Sequence, residues 1–167
     1  MHQSKVIAHC GMMTALSVVL MILGHVLGLG LYISPLLAGL CLMPIGQKFG
    51  PKYQWLVWGA ASLLSFILVS EMEQNLMYLT VFGLYPILQP MFERLPRRLV
   101  LPCKLLYFNA VFIAVEALVV FLIAPELMPG WMFILLVALG NVVFLLYDRL
   151  LPRAHLLLRK YFGKFKR

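Results

Sequence analysis

Apolar residues occur along this chain in long continuous runs rather than in short stretches of alternating polarity. Six of these runs approach the roughly 20 residues that a helix needs to cross a bilayer. They are Val6–Leu27, Leu29–Ile45, Tyr53–Ser70, Asn75–Met91, Leu99–Ala124 and Trp131–Tyr147. The pattern predicts an all-α membrane protein with six transmembrane helices in residues 1–150. The first two runs are separated by a tight turn at Gly28, Leu29 and Gly30.

The composition supports a membrane protein. Of the 167 residues, 63% are hydrophobic and 12% are charged. Too few polar side chains exist to coat the apolar surface of a water-facing fold. A soluble enzyme, a nucleic-acid-binding module and a disordered chain are therefore poor interpretations. The first run is also too long for the apolar region of a cleavable signal peptide.

The charges predict the orientation in the membrane. With a cytoplasmic N-terminus, all 14 Lys and Arg residues fall on the cytoplasmic side. The outer loops hold Glu71, Glu73 and Glu126 and no basic residue. Because cytoplasmic loops carry the excess of Lys and Arg, we expect a multi-pass protein of the plasma membrane with both termini cytoplasmic. The net charge of +8 then reports orientation, and no nucleic-acid partner is expected.

The segment 151–167 is predicted to be a separate cytoplasmic tail. Within Arg153–Arg167, leucine and aromatic residues alternate with basic ones. This is typical of a basic amphipathic helix that lies on the anionic inner leaflet of the lipid bilayer. Docking to a partner protein is the alternative for this tail.

The motifs of common catalytic sites are missing from the sequence. Cys10, Cys41 and Cys103 are widely spaced, and the four histidines form no HExxH motif. The chain has neither a phosphate-binding P-loop nor a Gly-x-Ser-x-Gly motif. We therefore expect no enzymatic activity, no cofactor and no metal site. Active transport by this chain would need a partner that hydrolyses ATP.

One acidic residue, Glu116, lies well inside a predicted span. A charge at bilayer depth is costly, so it usually faces a cavity or a partner. Asn109 lies two helical turns earlier on the same face. Lys104 lies twelve residues from Glu116, about 18 Å along the helix, which excludes an ion pair within the helix.

Further polar and aromatic residues are expected at a similar depth. On the fourth span, Tyr78, Phe82, Tyr85 and Gln89 follow a helical spacing that places them on one face. Tyr85 and, on the sixth span, Asn141 lie at about the depth of Glu116, toward the outside. Together they predict an outward-facing pocket for a small polar or cationic molecule. Hydrogen bonding between helices is the alternative for these residues.

Short motifs resemble the substrate-binding S components of energy-coupling factor (ECF) transporters. They are Met13–Leu20 in span one, Ser34–Leu40 in span two and Gly59–Ser65 in span three. Members of that family are six-span proteins that capture vitamins or other metabolites from outside, without ATPase motifs. The resemblance implies a transmembrane T component and two ATPases as partners, and a ligand pocket formed by spans four to six.

The resemblance also gives a role to the first span. Gly11 and Ala15 have the small-xxx-small spacing that allows another helix to approach closely. In the family, a motif of this kind docks on the T component. The connection between spans one and two looks very short, which departs from the family pattern, where this loop helps to cap the site.

The sequence thus predicts a subunit that binds a small solute and passes it inward. Glu116 is expected to neutralise or hydrogen-bond the substrate, Tyr78, Phe82 and Tyr85 to form aromatic walls, and Asn109 and Asn141 to orient polar edges. The alternative is a non-transporting membrane scaffold similar to the six-span D-type rod-shape-determining proteins. A facilitator that needs no energising partner is a third interpretation.

Overall fold

A computed structural model describes residues 2–28, 32–123 and 130–163. Within these ranges the regular structure is entirely helical, without a β-strand. The elements are α1 (His2–Leu27), α2 (Ile33–Leu40), α3 (Met43–Phe49), α4 (Pro51–Leu68), α5 (Met72–Met77), a π-helical segment (Tyr78–Phe82), α6 (Tyr85–Phe92), α7 (Arg97–Ile123) and α8 (Gly130–Gly163).

Three helices of the described chain are long and apolar enough to cross a membrane. They cover Gln3–Leu27 in α1, Arg97–Val119 in α7 and Phe133–Ala154 in α8. Their outward faces carry large apolar side chains, for example Ile7 and Leu106, which are 69% and 72% exposed. This confirms the all-helical class and shows apolar helices of membrane-spanning length at the predicted first, fifth and sixth runs.

The second and fourth apolar runs are broken into shorter helices. The second is divided between α2 and α3, and Pro44 stands in the first turn of α3. The fourth is divided into α5, the π-helical segment and α6, and Pro86 stands in the first turn of α6. Proline lacks the N–H that would continue the preceding helix, and its ring clashes with the preceding turn. The breaks therefore follow from the sequence.

The helices enclose two groups of buried side chains. The α7–α8 core consists of Met43, Met77, Val81, Phe82, Tyr85, Phe108, Phe112, Val115, Phe144, Tyr147 and Leu151. The α1–α4 core consists of Val18, Met21, Ala38, Leu42, Ile45, Val57, Ala61, Val69, Tyr78 and Ile87. The broken helices lie between the two cores and contribute side chains to both.

The expectation that Tyr78, Phe82 and Tyr85 share one helical face is wrong. Gly83 N–H donates to the carbonyl oxygen of Tyr78 at 2.8 Å, a hydrogen bond that spans five residues instead of four. The wider turn and the following break rotate the later residues relative to Tyr78. Tyr78 therefore packs in the α1–α4 core, and the other two pack in the α7–α8 core.

Helices α7 and α8 pack antiparallel, with a register fixed by their side chains. The ring of Phe108 stacks on that of Phe144 with centroids 4.5 Å apart. Helix α8 also continues without interruption across the predicted domain boundary at residue 150. Leu151, immediately after that boundary, is fully buried in the α7–α8 core.

Some predictions lie outside the described residues. These are the turn at Leu29 and Gly30, the acidic residue Glu126 and the last four residues of the tail, 164–167. In the rest of the predicted amphipathic tail the backbone is helical up to Gly163.

A glycine in α2 allows a close approach to the π-helical segment. In a continuous α-helix the Phe82 carbonyl would accept a hydrogen bond from residue 86, but Pro86 has no N–H. The hydroxyl of Tyr147 donates to this carbonyl at 2.8 Å instead. A Cβ atom on Gly39 would lie 2.2 Å from the same oxygen and 2.7 Å from the Tyr147 hydroxyl.

We expect Gly39→Ala to destabilise the fold by about 1–3 kcal/mol, because the added methyl group forces apart two backbone segments. Thermal unfolding in detergent micelles measures this loss. Gly59→Ala is the matched control, since a Cβ there would meet nothing within 4 Å. Equal melting temperatures for the two variants would contradict the close approach.

Candidate functional site

Beyond its first turn, helix α7 carries one lysine, one asparagine and one glutamate in a largely apolar sequence, and each has side-chain partners on other elements. Lys104, Asn109 and Glu116 follow each other from one end of α7 toward the other. At 1.5 Å per residue, the first and the last are separated by about 18 Å along the axis. Their partners therefore form three separate hydrogen-bonded groups at three levels of the bundle.

The first group joins Glu116 to two residues outside α7. The hydroxyl of Tyr32, just before α2, lies 2.9 Å from Oε1 of Glu116 and 3.1 Å from Oε1 of Glu73 in α5. We call Tyr32, Glu73 and Glu116 the Tyr32 group. The Tyr32 ring packs against Phe112, one turn from Glu116 on α7, with centroids 5.9 Å apart. Glu116 is 2% exposed, so this group brings a carboxyl into the interior.

Other acidic and basic groups lie beside the Tyr32 group. Glu71 precedes α5, and its Oε1 lies 3.7 Å from Nδ1 of His25 near the end of α1. Burial raises the pKa of the Glu73 carboxyl, the hydrogen bond from Tyr32 lowers it, and nearby Glu71 raises it, with a net increase. The protonated form of Glu73 is thus favoured by its surroundings.

The second group is a reciprocal amide pair between α7 and α8. Nδ2 of Asn109 donates to Oδ1 of Asn141 at 2.9 Å, and Nδ2 of Asn141 donates back to Oδ1 of Asn109 at 2.8 Å. Each Nδ2 also donates to the carbonyl oxygen four residues earlier in its own helix. Both hydrogens of each amide are therefore used, and the pair holds the two helices together.

The third group, toward the opposite end of α7, is an ion pair between a buried lysine and a partly buried aspartate. Nζ of Lys104 lies 2.7 Å from Oδ1 of Asp148 on α8. Their side chains are 6% and 17% exposed. The hydroxyl of Tyr85 also donates to Oδ1 of Asp148. This group links α6, α7 and α8.

The predicted pocket residues do not form one hydrogen-bonded cluster. Glu116 is bonded to Tyr32 and Glu73, Asn109 to Asn141, and Tyr85 to Asp148. The depth estimate took the outer ends of spans four and five to be level. In the structure Glu73, two residues before the predicted start of span four, already lies at the level of Glu116, because both contact Tyr32. Tyr85 comes twelve residues later and therefore lies at the level of Lys104 and Asp148. The expectation of a single group at one depth is corrected accordingly.

The remaining predicted wall residues are buried in apolar surroundings. Phe82 lies edge-on to Tyr147 with ring centroids 5.5 Å apart. The Tyr78 side chain is fully buried, and its hydroxyl has no hydrogen-bond partner among the described residues. Both aromatic residues thus contribute to packing between helices.

Gly11 and Ala15, the predicted docking residues, lie on an exposed face of α1. A Cβ atom on Gly11 would meet nothing within 4 Å. Neighbouring Met12 and Leu16 are 56% and 45% exposed on the same helix. The face is open to lipid or to another helix, and docking remains a prediction.

Sequence reasoning missed three partners of the α7 residues. Tyr32 lies beside the turn between the first two apolar runs, Glu73 was placed in an outer loop, and Asp148 follows directly after the last predicted span. All three stand at the ends of apolar runs. A search for polar residues at span ends, matched to the charges inside neighbouring spans, would have identified Asp148 as a partner for Lys104.

Comparisons of the chain with protein-family models, with curated proteins and with solved structures find no match. In the described part of the chain, no three His, Cys, Asp or Glu side chains lie together in a way that would hold a metal ion. The chemistry that the structure offers at its polar groups is hydrogen bonding, charge pairing and proton exchange.

We expect Lys104→Met to destabilise the protein by about 3 kcal/mol, because it leaves the Asp148 carboxylate in the interior without its counter-ion. Lys104→Met combined with Asp148→Asn should recover most of this loss, since the amide oxygen still accepts from Tyr85. Reversible unfolding of the variants in mixed micelles measures both values. A double variant as unstable as the single one would show that the ion pair is not the stabilising element.

Proposed function

We propose that this chain is a six-span protein of the plasma membrane with both termini in the cytoplasm. In this arrangement α1, α4, α7 and α8 are spans. The broken pair α2–α3 and the segment from Asn75 to the end of α6 complete the set, so Glu73 lies outside the spans. The distribution of basic residues in the sequence supports the orientation. It places Lys104 toward the cytoplasm and Glu116 toward the outside.

We further propose that the protein captures a small polar or cationic solute from outside, as the S component of an ECF-type importer does. The observation that carries this proposal is the buried carboxyl of Glu116, which is 2% exposed on an apolar helix. Acidic residues inside spans commonly mark substrate or ion pathways. Tyr32 and Glu73 add two further polar groups that a bound amine or hydroxyl group would contact.

Delivery of the solute inward requires an energising partner in this proposal. The exposed small residues Gly11 and Ala15 on α1 are the proposed contact with a T component, which two ATPases would drive. Small residues allow the backbones of two helices to approach closely in a membrane. An anionic inner leaflet would hold the basic tail at the cytoplasmic face.

A membrane scaffold is the second candidate. The observation that favours it is that Asn109 and Asn141 use all four amide hydrogens on each other and on their own helices. Lys104 and Asp148 are likewise paired. In a scaffold, these polar groups would hold the helices in a fixed arrangement, and partner proteins would bind the exposed faces.

Native mass spectrometry of the gently extracted protein distinguishes the two candidates. For solute capture, we expect a retained small molecule on the wild type and at least a tenfold lower occupancy on Glu116→Gln, which removes the negative charge. Glu71→Gln is the matched control, because this acid lies nearby with a side chain that is 49% exposed. A wild type without any bound molecule, or equal occupancy in Glu116→Gln, would contradict solute capture.

A further inference from the structure

The Tyr32 group contains more hydrogen-bond acceptors than hydrogens when both of its carboxyls are ionised. The hydroxyl of Tyr32 has one hydrogen, and an ionised carboxylate can only accept. Oxygens of Glu73 and Glu116 nevertheless both lie within hydrogen-bond distance of this hydroxyl, at 3.1 and 2.9 Å. If both carboxylates are ionised, the single hydrogen of the Tyr32 hydroxyl either serves one contact and leaves the other without a hydrogen, or is shared between the two contacts.

Electrostatics disfavours the doubly ionised state as well. Two negative charges would face each other across one phenol oxygen, and Glu116 is almost fully removed from solvent. Neighbouring carboxylates that share a site raise the affinity of one of them for a proton. Burial also raises the pKa of Glu73, which agrees with a protonated carboxyl in this group.

One added proton resolves both problems. A protonated carboxyl donates its hydrogen to the Tyr32 oxygen, and the Tyr32 hydrogen is donated to the other carboxylate. Every contact is then a hydrogen bond with its own hydrogen, and the charge of the group falls from two negative charges to one. The group then connects α5, the start of α2 and α7 through a continuous chain of hydrogen bonds.

The neighbouring elements supply little positive charge to replace this proton. Helix α1 contributes His25, which lies against Glu71 rather than against the Tyr32 group. Helices α2 and α5 contain no Lys or Arg, and on α7 the nearest basic residue before Glu116 is Lys104, about 18 Å away. Helix α4 contains one basic residue, Lys52, in its first turn. Helix α8 contains no charged residue before Asp148, which is acidic.

We propose that the Tyr32 group binds one proton and acts as a pH-operated latch between α5, the start of α2 and α7. The latch is closed while one of the two carboxyls is protonated. Loss of the proton leaves two carboxylates on one hydroxyl and weakens the contact. The proton count follows from the contacts alone and does not require that the protein capture a solute.

The direction of the pH effect follows from linkage. A carboxyl with a raised pKa binds its proton more tightly in the folded protein than in the unfolded chain. The stabilising contribution of this proton is complete below the ordinary carboxyl pKa, which is about 4.5 for Glu73. It is lost as the pH rises through the pKa of the folded state. For one proton, the unfolding equilibrium changes by at most about tenfold per pH unit in this window.

The test is thermal unfolding of the full chain in lipid nanodiscs between about pH 4.5 and pH 8. We expect the melting temperature of the wild type to fall as the pH rises. Glu73→Gln and Glu116→Gln should each flatten this dependence, because an amide N–H donates to the Tyr32 oxygen at every pH. Glu71→Gln and His25→Gln are the matched controls, because they change the neighbouring His25–Glu71 pair and leave the Tyr32 group intact. Both variants should keep the fall in melting temperature with rising pH that is assigned to the latch.

Infrared spectroscopy provides a second readout if a variant does not fold. The folded wild type should show a protonated-carboxyl C=O band that disappears on raising the pH. Glu73→Gln and Glu116→Gln should lose this titrating band, whereas Glu71→Gln should retain it. A pH dependence unchanged in both Tyr32-group variants, or a wild type without a titrating protonated carboxyl, would overturn the latch. Neither measurement uses a solute, so this outcome is separate from the test of solute capture.

Discussion

The structure depends on the pairing of the charged and amide side chains of α7 with partners inside the bundle. In a low-dielectric interior an unpaired amide or charge is costly, whereas a paired one fixes the position of two helices. Helix α7 forms such pairs three times, through Lys104, Asn109 and Glu116. Their partners lie on α8, on α5 and just before α2, and Tyr85 of α6 joins through Asp148. One helix thereby sets the positions of most of its neighbours.

The broken helices pair a polar group of the backbone in the same way. Pro86 leaves the Phe82 carbonyl without its helical donor, and the Tyr147 hydroxyl supplies one. Gly39 provides the space in which this contact forms. The π-helical segment also directs Tyr78 and Tyr85 into different cores. A break in an apolar helix thus becomes a junction between α2, the π-helical segment and α8.

The helical class and the long apolar helices were predictable, because runs of about 20 apolar residues carry that information directly. That Glu116 would face a cavity or a partner was also predictable, since it was the one acid deep in a predicted span. Its partners were not, because hydropathy places Tyr32 and Glu73 at the ends of runs and carries no information on which ends meet. The grouping of Tyr85 with Glu116 failed because the depth estimate took the ends of the fourth and fifth runs to be level, whereas Glu73, just before the fourth run, already lies beside Glu116. The shared face of Tyr78 and Tyr85 failed because periodicity assumes an unbroken α-helix, and a π-helical turn changes the face. The Asn109–Asn141 contact was an alternative that the residue types allowed but that spacing alone does not identify.

The central claim is that the polar groups of α7 hold this bundle together by pairing with specific residues on neighbouring elements. A double-mutant cycle on Asn109→Ala and Asn141→Ala tests it most directly, because neither residue carries a charge and both amides are fully used by the pair and their own helices. Reversible unfolding of the wild type, both single variants and the double variant in mixed micelles gives the coupling energy. The account predicts a favourable coupling of about 0.6 kcal/mol, the average for hydrogen bonds between membrane helices, and no more than about 1.7 kcal/mol. Strictly additive losses would contradict it.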